Sequence, residues 1–78
     1  MSVTVLYFAS LRDAARMDSE RVDRPESLLA LYDSLRLRHG FALARERLRV
    51  AVNGEFARWD DAVADGAEIA FIPPVSGG

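Results

Sequence analysis

The sequence predicts an α+β domain in which one long helix lies across one face of a mixed sheet of about five strands. Three observations carry this. Apolar residues recur at helical spacing in one long stretch, at Leu28, Leu31, Tyr32 and Leu35. Strand-like runs stand on both sides of that stretch, and Asn53-Gly54 supplies a hairpin turn between two of them. A single helix flanked by short strands has one stable layered solution, the helix packed on a sheet face. With 50% hydrophobic residues in 78, the chain has the apolar content of a folded domain rather than a disordered tail. A chain this short buries only a modest core and gains from a staple or a partner.

Each element has a local reason. Val3 to Ala9 is β-branched and aromatic, the composition of a strand. Ser10-Leu11-Arg12-Asp13 reads as a capping box opening a short helix through Ala14, Ala15 and Arg16. Glu20 to Asp23 is a polar edge strand closed by Arg24-Pro25, since proline cannot donate to a ladder. The main helix starts at Ser27 as N-cap and stops at Gly40, where a left-handed cap is expected. Leu48, Val50 and Val52 alternate with Arg49, Ala51 and Asn53 in a half-buried strand. Phe56 to Trp59 is the expected return strand, Asp60-Asp61 a turn or cap, Asp65-Gly66 a second tight turn, and Ala67 to Ile72 the last strand. The domain is expected to span residues 1–72, with 73–78 as an extended tail.

Composition removes several chemistries. There is no cysteine, hence no disulfide, thiolate ligand or thiol nucleophile. All ten basic residues are arginine, so no side-chain amine can form a Schiff base or accept an isopeptide bond. The net charge of -2 is scattered, without a run of like charges, which argues against nucleic-acid and membrane partners. The apolar run at the start is too short to span a bilayer and lacks a basic lead, so a cytoplasmic protein is expected. His39, one residue before Gly40, reads as a helix C-terminal cation rather than a ligand, and no metal site is assigned. Asp60 and Asp61, adjacent in sequence, point apart and read as a turn rather than an acid-base pair.

The chemistry is expected at the C-terminus, Ile72-Pro73-Pro74-Val75-Ser76-Gly77-Gly78. Pro73 and Pro74 fix φ and stiffen the base, while Gly77 and Gly78 lack a Cβ and keep the tip slender. At about 3.3 to 3.6 Å per residue, residues 73–78 reach roughly 20 Å, far enough to enter another protein's active site. A carboxylate becomes an acyl donor once its oxygen is made a leaving group, commonly by adenylation, and Gly78 offers the least hindered carbonyl. The expected role is a carrier loaded at Gly78, oriented by whichever enzyme holds the tail. The alternative is a frayed terminus with chance glycines.

These residues resemble the small subunit of molybdopterin synthase, a family of ubiquitin-like sulfur carriers with the β-grasp fold. The resemblance covers nearly the whole chain. It rests on Leu6-Tyr7-Phe8-Ala9 followed by Leu11-Arg12-Asp13, on Ala51-Val52-Asn53, and on Asp65-Gly66 leading into Glu68-Ile69-Ala70-Phe71-Ile72 and the tail. The chain departs from the family at Ile72, often a second aromatic, and at Ala67, often acidic. The resemblance implies that an activating enzyme of the ubiquitin-activating type adenylates Gly78 with ATP, and that a sulfur donor protein then converts it to a thiocarboxylate. The tail then delivers sulfur to cyclic pyranopterin monophosphate in the large subunit, which supplies the catalytic groups, within a heterotetramer. No cofactor is bound by the carrier itself. A sulfur carrier for thiamin thiazole synthesis, a protein modifier joined to target lysines, and a non-covalent interaction domain with an inert tail are the rival readings.

A docking surface follows from strand alternation. With Val5, Tyr7, Ile69 and Phe71 facing the helix, Leu6, Phe8, Glu68, Ala70 and Ile72 face the other way. Leu6, Phe8 and Ile72, joined by Phe56 after the hairpin, would form an exposed apolar patch at the root of the tail, which marks an interface. The competing expectation is that the loop from Asp60 to Ala64 folds over part of it.

Overall fold

The computed structural model of the protein describes residues 1–74. Strand β1 (Ser2–Tyr7) buries Val3, Val5 and Tyr7 on one face and leaves Ser2, Thr4 and Leu6 half-buried on the other. The same alternation recurs in β5 (Glu68–Ile72), where Ile69 and Phe71 are buried. These two strands pair in parallel, with Leu6 opposite Ala70 and Tyr7 opposite Phe71. Around them lie β2 (Ser19–Asp23), β3 (Arg49–Val52) and β4 (Glu55–Phe56), giving the order β2-β1-β5-β3-β4. The remaining pairings are antiparallel. This is the mixed five-stranded sheet that the sequence predicts.

The main helix, α2 (Leu28–His39), lays Leu28, Leu31, Tyr32 and Leu35 into one core with Val5, Ile69 and Phe71. Both of its ends are capped as expected. Ser27 Oγ accepts from the Ala30 N–H at 3.1 Å, and Gly40, at φ 71°, donates its N–H to the Arg36 carbonyl. The first-turn amides of Leu28 and Leu29 donate to the carbonyls of Asp61 and Trp59, so a distant loop completes this N-terminus. Trp59 stacks on Phe71 with ring centroids 5.9 Å apart, sealing the core edge beside Tyr32.

Three local expectations are corrected. The first strand stops at Tyr7, because Phe8 caps the short helix α1 (Ala9–Ala15) and Ala9 takes a left-handed φ of 50°. No side chain caps α1, and Ser10 lies inside it, so the capping box at Ser10 and Asp13 does not form. The Phe8 carbonyl accepts instead from the Leu11 and Arg12 amides. The return strand is only Glu55–Phe56. One further backbone bond, from Ala57 to the Val50 carbonyl, ends the pairing before the chain turns at Arg58 to Asp61 to meet α2.

Candidate functional site

The outer face of the sheet, opposite α2, divides into a polar half and an apolar half. In register, Ser2 pairs with Asp23, and Thr4 with both Arg21 and Glu68. One step nearer the C-terminal end of β5, the cross-strand row is Leu6, Ala70, Ala51 and Phe56, and beyond it Ile72 stands opposite Arg49. Because directly paired residues project to the same face, these side chains form one surface. Ala51 is buried yet stands apart from the core cluster, lying between Ala70 and Phe56 in this row.

The patch is uncovered among the described residues. Phe8 is 46% exposed and Phe56 65% exposed, while Leu6, Ala70 and Ile72 are half-buried. The loop that could have folded over it runs to the other side of the sheet, where Trp59 and Asp61 meet the start of α2. Phe8, still extended, follows Tyr7, whose pairing with Phe71 is the last between β1 and β5, as Ile72 follows Phe71. Pro73 and Pro74 follow Ile72 and bring no backbone N–H to extend the ladder. Of the proposed tail, Pro73 is half-buried and Pro74 exposed, whereas Val75, Ser76, Gly77 and Gly78 lie outside the described residues.

The hairpin that carries Phe56 is rigidly placed. Asn53 and Gly54 both adopt positive φ, at 52° and 87°, the turn whose twist matches paired strands. Asn53 also donates its N–H to the Glu68 carbonyl and accepts from the Glu68 N–H through Oδ1 at 2.9 Å. Arg49 places its guanidinium 4.3 Å from the centroid of the Phe56 ring.

A second polar cluster lies on the helix side. Glu20 of β2 accepts from the Tyr7 hydroxyl, pairs with His39 Nε2 at 2.7 Å and pairs with Arg38 at 2.9 Å. Desolvation alone would raise the Glu20 carboxyl, but the hydrogen bonds from Tyr7 and His39 and the nearby cations outweigh it and hold it below its ordinary value. Burial, reinforced by the Glu20 hydrogen bond and charge, pushes the Tyr7 phenol well up. His39 is therefore a cross-element partner of Glu20, beyond the helix-end role the sequence suggests.

The ThiS family model matches residues 5–78 of this chain. The chain belongs to the ThiS family. As the sequence resemblance implies, it is similar to molybdopterin synthase sulfur carrier subunits. It is 37% identical to that of Homo sapiens, with 97% of this chain and 93% of the relative covered, and 36% identical to that of Escherichia coli K12, with 97% and 99% covered. Among solved structures, SAMP1 from Haloferax volcanii, a small archaeal modifier protein, superposes with a TM-score of 0.83 at 31% identity over the whole of both chains. The ubiquitin-like β-grasp fold expected from the sequence is the fold of this ThiS-family chain.

Strand pairing brings Leu6, Phe56 and Ile72 to one face, and the exposed Phe8 follows β1 at its end. Sequence reasoning left out Ala51 and Arg49, which share it. The signal was present, since both alternate with the buried Val50, but their place beside Phe56 depends on the hairpin register.

Proposed function

We propose that this ThiS-family chain is the sulfur-carrier subunit of a molybdopterin synthase, with the Gly78 carboxylate as the carrier group. The observation that carries the reading is the course of β5. Its last residue, Ile72, borders the uncovered apolar face, and the chain continues directly through Pro73-Pro74 towards Gly77-Gly78. Docking through Leu6, Phe8, Phe56 and Ile72 would therefore also aim the tail formed by residues 73–78. The relatives named as molybdopterin synthase sulfur carrier subunits support the pathway.

In the proposed cycle, a Gly78 carboxylate oxygen attacks the α-phosphorus of ATP on an activating enzyme, and pyrophosphate leaves. Hydrosulfide delivered by the sulfur donor protein attacks the acyl carbon, AMP leaves as the acyl–oxygen bond breaks, and loss of one proton gives the thiocarboxylate. Pro73, Pro74, Val75, Ser76 and Gly77 thread the group into the large subunit, where the thiocarboxylate sulfur bonds to a carbon of cyclic pyranopterin monophosphate. Water then cleaves the acyl–sulfur bond, the sulfur stays on the pterin and the Gly78 carboxylate is regenerated. A dithiolene holds two sulfurs, so each product consumes two loaded carriers. This chain contributes reach and orientation, and the lysines and other acid-base groups come from the large subunit.

Deleting Gly78 is expected to abolish molybdopterin formation in a reconstituted synthase while leaving the urea unfolding curve unchanged. Pterin formation at the wild-type rate by the truncated chain would overturn the proposal. The likeness to SAMP1 favours one second reading, a modifier whose Gly78 is joined to an amine of another protein. Gly78-linked amide adducts in extract, in place of sulfur transfer, would support it.

A further inference from the structure

Among the described residues Arg49 is the only charged strand residue in the apolar half of the outer face, beside Leu6, Ala70, Ala51, Phe56 and Ile72. It is exposed, and its guanidinium is held over the Phe56 ring. Four other arginines find carboxylates: Arg12 at Asp18, Arg24 at Asp65, Arg38 at Glu20 and Arg58 at Asp60. Among the described residues Arg49 has no such partner, nor do Arg16, Arg21, Arg36, Arg45 and Arg47, and of these six Arg49 alone stands in the apolar half of the outer face. Any protein that covers Phe56 and Ile72 must also strip water from this cation, which is costly unless an acceptor replaces it. Stacking on Phe56 has already restricted the guanidinium, so little further ordering is needed to form that bond.

We propose that Arg49 selects the partner: the surface docking on this face carries an Asp or Glu carboxylate that meets the guanidinium within a ring of apolar contacts. The inference rests on the reading of the outer face as the docking face for the large subunit. An apolar partner patch without the carboxylate would leave the cation unpaired, so Arg49 discriminates between otherwise similar grooves.

The test measures binding of the full-length chain to the molybdopterin synthase large subunit of the same organism, at low and high salt. Wild type is compared with Arg49→Lys, Arg49→Leu, Arg49→Glu and Phe56→Ala. Arg49→Glu is expected to weaken binding about tenfold or more, Arg49→Leu to weaken it and flatten its salt dependence, and Arg49→Lys to retain most affinity. Reversal of the facing partner carboxylate to arginine should restore binding of Arg49→Glu. Wild-type affinity and salt dependence in Arg49→Leu and Arg49→Glu, with Phe56→Ala weakened, would overturn the role of Arg49 and leave the docking face standing. Unchanged binding in Phe56→Ala as well would overturn the docking face itself. Self-association of the wild type through this face, dispersed by Arg49→Glu, would replace the proposed partner with a second copy.

Discussion

The two faces of one sheet, built from alternate residues of the same strands, differ in what covers them. On the inner face Val5, Ile69 and Phe71 are 0% exposed beneath α2, and Tyr32, Trp59 and Phe41 form an aromatic wall around them. On the outer face Leu6, Ala70 and Ile72 are only half-buried, and Phe8 and Phe56 project into solvent. The faces differ in residues as well as in cover: the outer one carries Ser2, Thr4, Glu68 and Arg49 beside its apolar side chains, while α2 and Trp59 cover the apolar core of the inner one. Stability is thus concentrated on one side and an uncovered apolar surface on the other. A side chain on the outer face can change without disturbing the core that holds the sheet together.

That separation can be broken most severely from the inner side. Phe71→Ala empties a fully buried aromatic site and is expected to cost about 3 to 5 kcal/mol, most of the stability of a chain this small, as read from urea unfolding. Phe56→Ala sharpens the contrast. Stability should move by less than about 0.5 kcal/mol, while binding to the large subunit weakens by about 2 kcal/mol in calorimetry if Phe56 anchors the interface. Ser27→Ala removes the hydroxyl that accepts from Ala30 and should cost about 1 kcal/mol of stability with no change in partner affinity.

The smallest effect concerns pH. Glu20 is held below its ordinary value of 4.5 in the folded chain, so its contribution is fully present above that value and is lost as pH falls through the lower folded value. Glu20→Gln should therefore be less stable than wild type at neutral pH, and the two unfolding midpoints should converge as pH falls from 4.5 through the lower folded value. A constant gap across that range would remove the carboxylate from the account.

Legibility in the sequence followed locality. Ser27 and Gly40 cap α2 through bonds within a few residues, and Asn53-Gly54 fixes its turn by its own dihedral angles, so both could be read directly. The inward set Val5, Tyr7, Ile69 and Phe71 followed from period-two alternation. The start of α1 could not, because Ser10 and Asp13 satisfy a capping pattern while Ala9 adopts a left-handed conformation that no local preference favours. Glu20, Tyr7 and His39 meet across three elements and carry no sequence signal of their own. The same holds for Arg49 over Phe56, which needs the pairing of Ala51 with Phe56 before it can be seen. The apolar patch proposed for docking was legible in Leu6, Phe56 and Ile72, whereas Ala51 and Arg49 were missed because strand alternation gives a face without giving neighbours.

The central claim is that Gly78 carries sulfur to a pterin, and intact mass tests it most directly. The chain is incubated with ATP, its activating enzyme and a sulfur source, and then with the large subunit and cyclic pyranopterin monophosphate. The account predicts a gain matching replacement of one oxygen by sulfur, located at Gly78 and lost when the large subunit and precursor are added. No gain with an activating enzyme shown to be competent on another carrier, or a gain that persists in their presence, would contradict it.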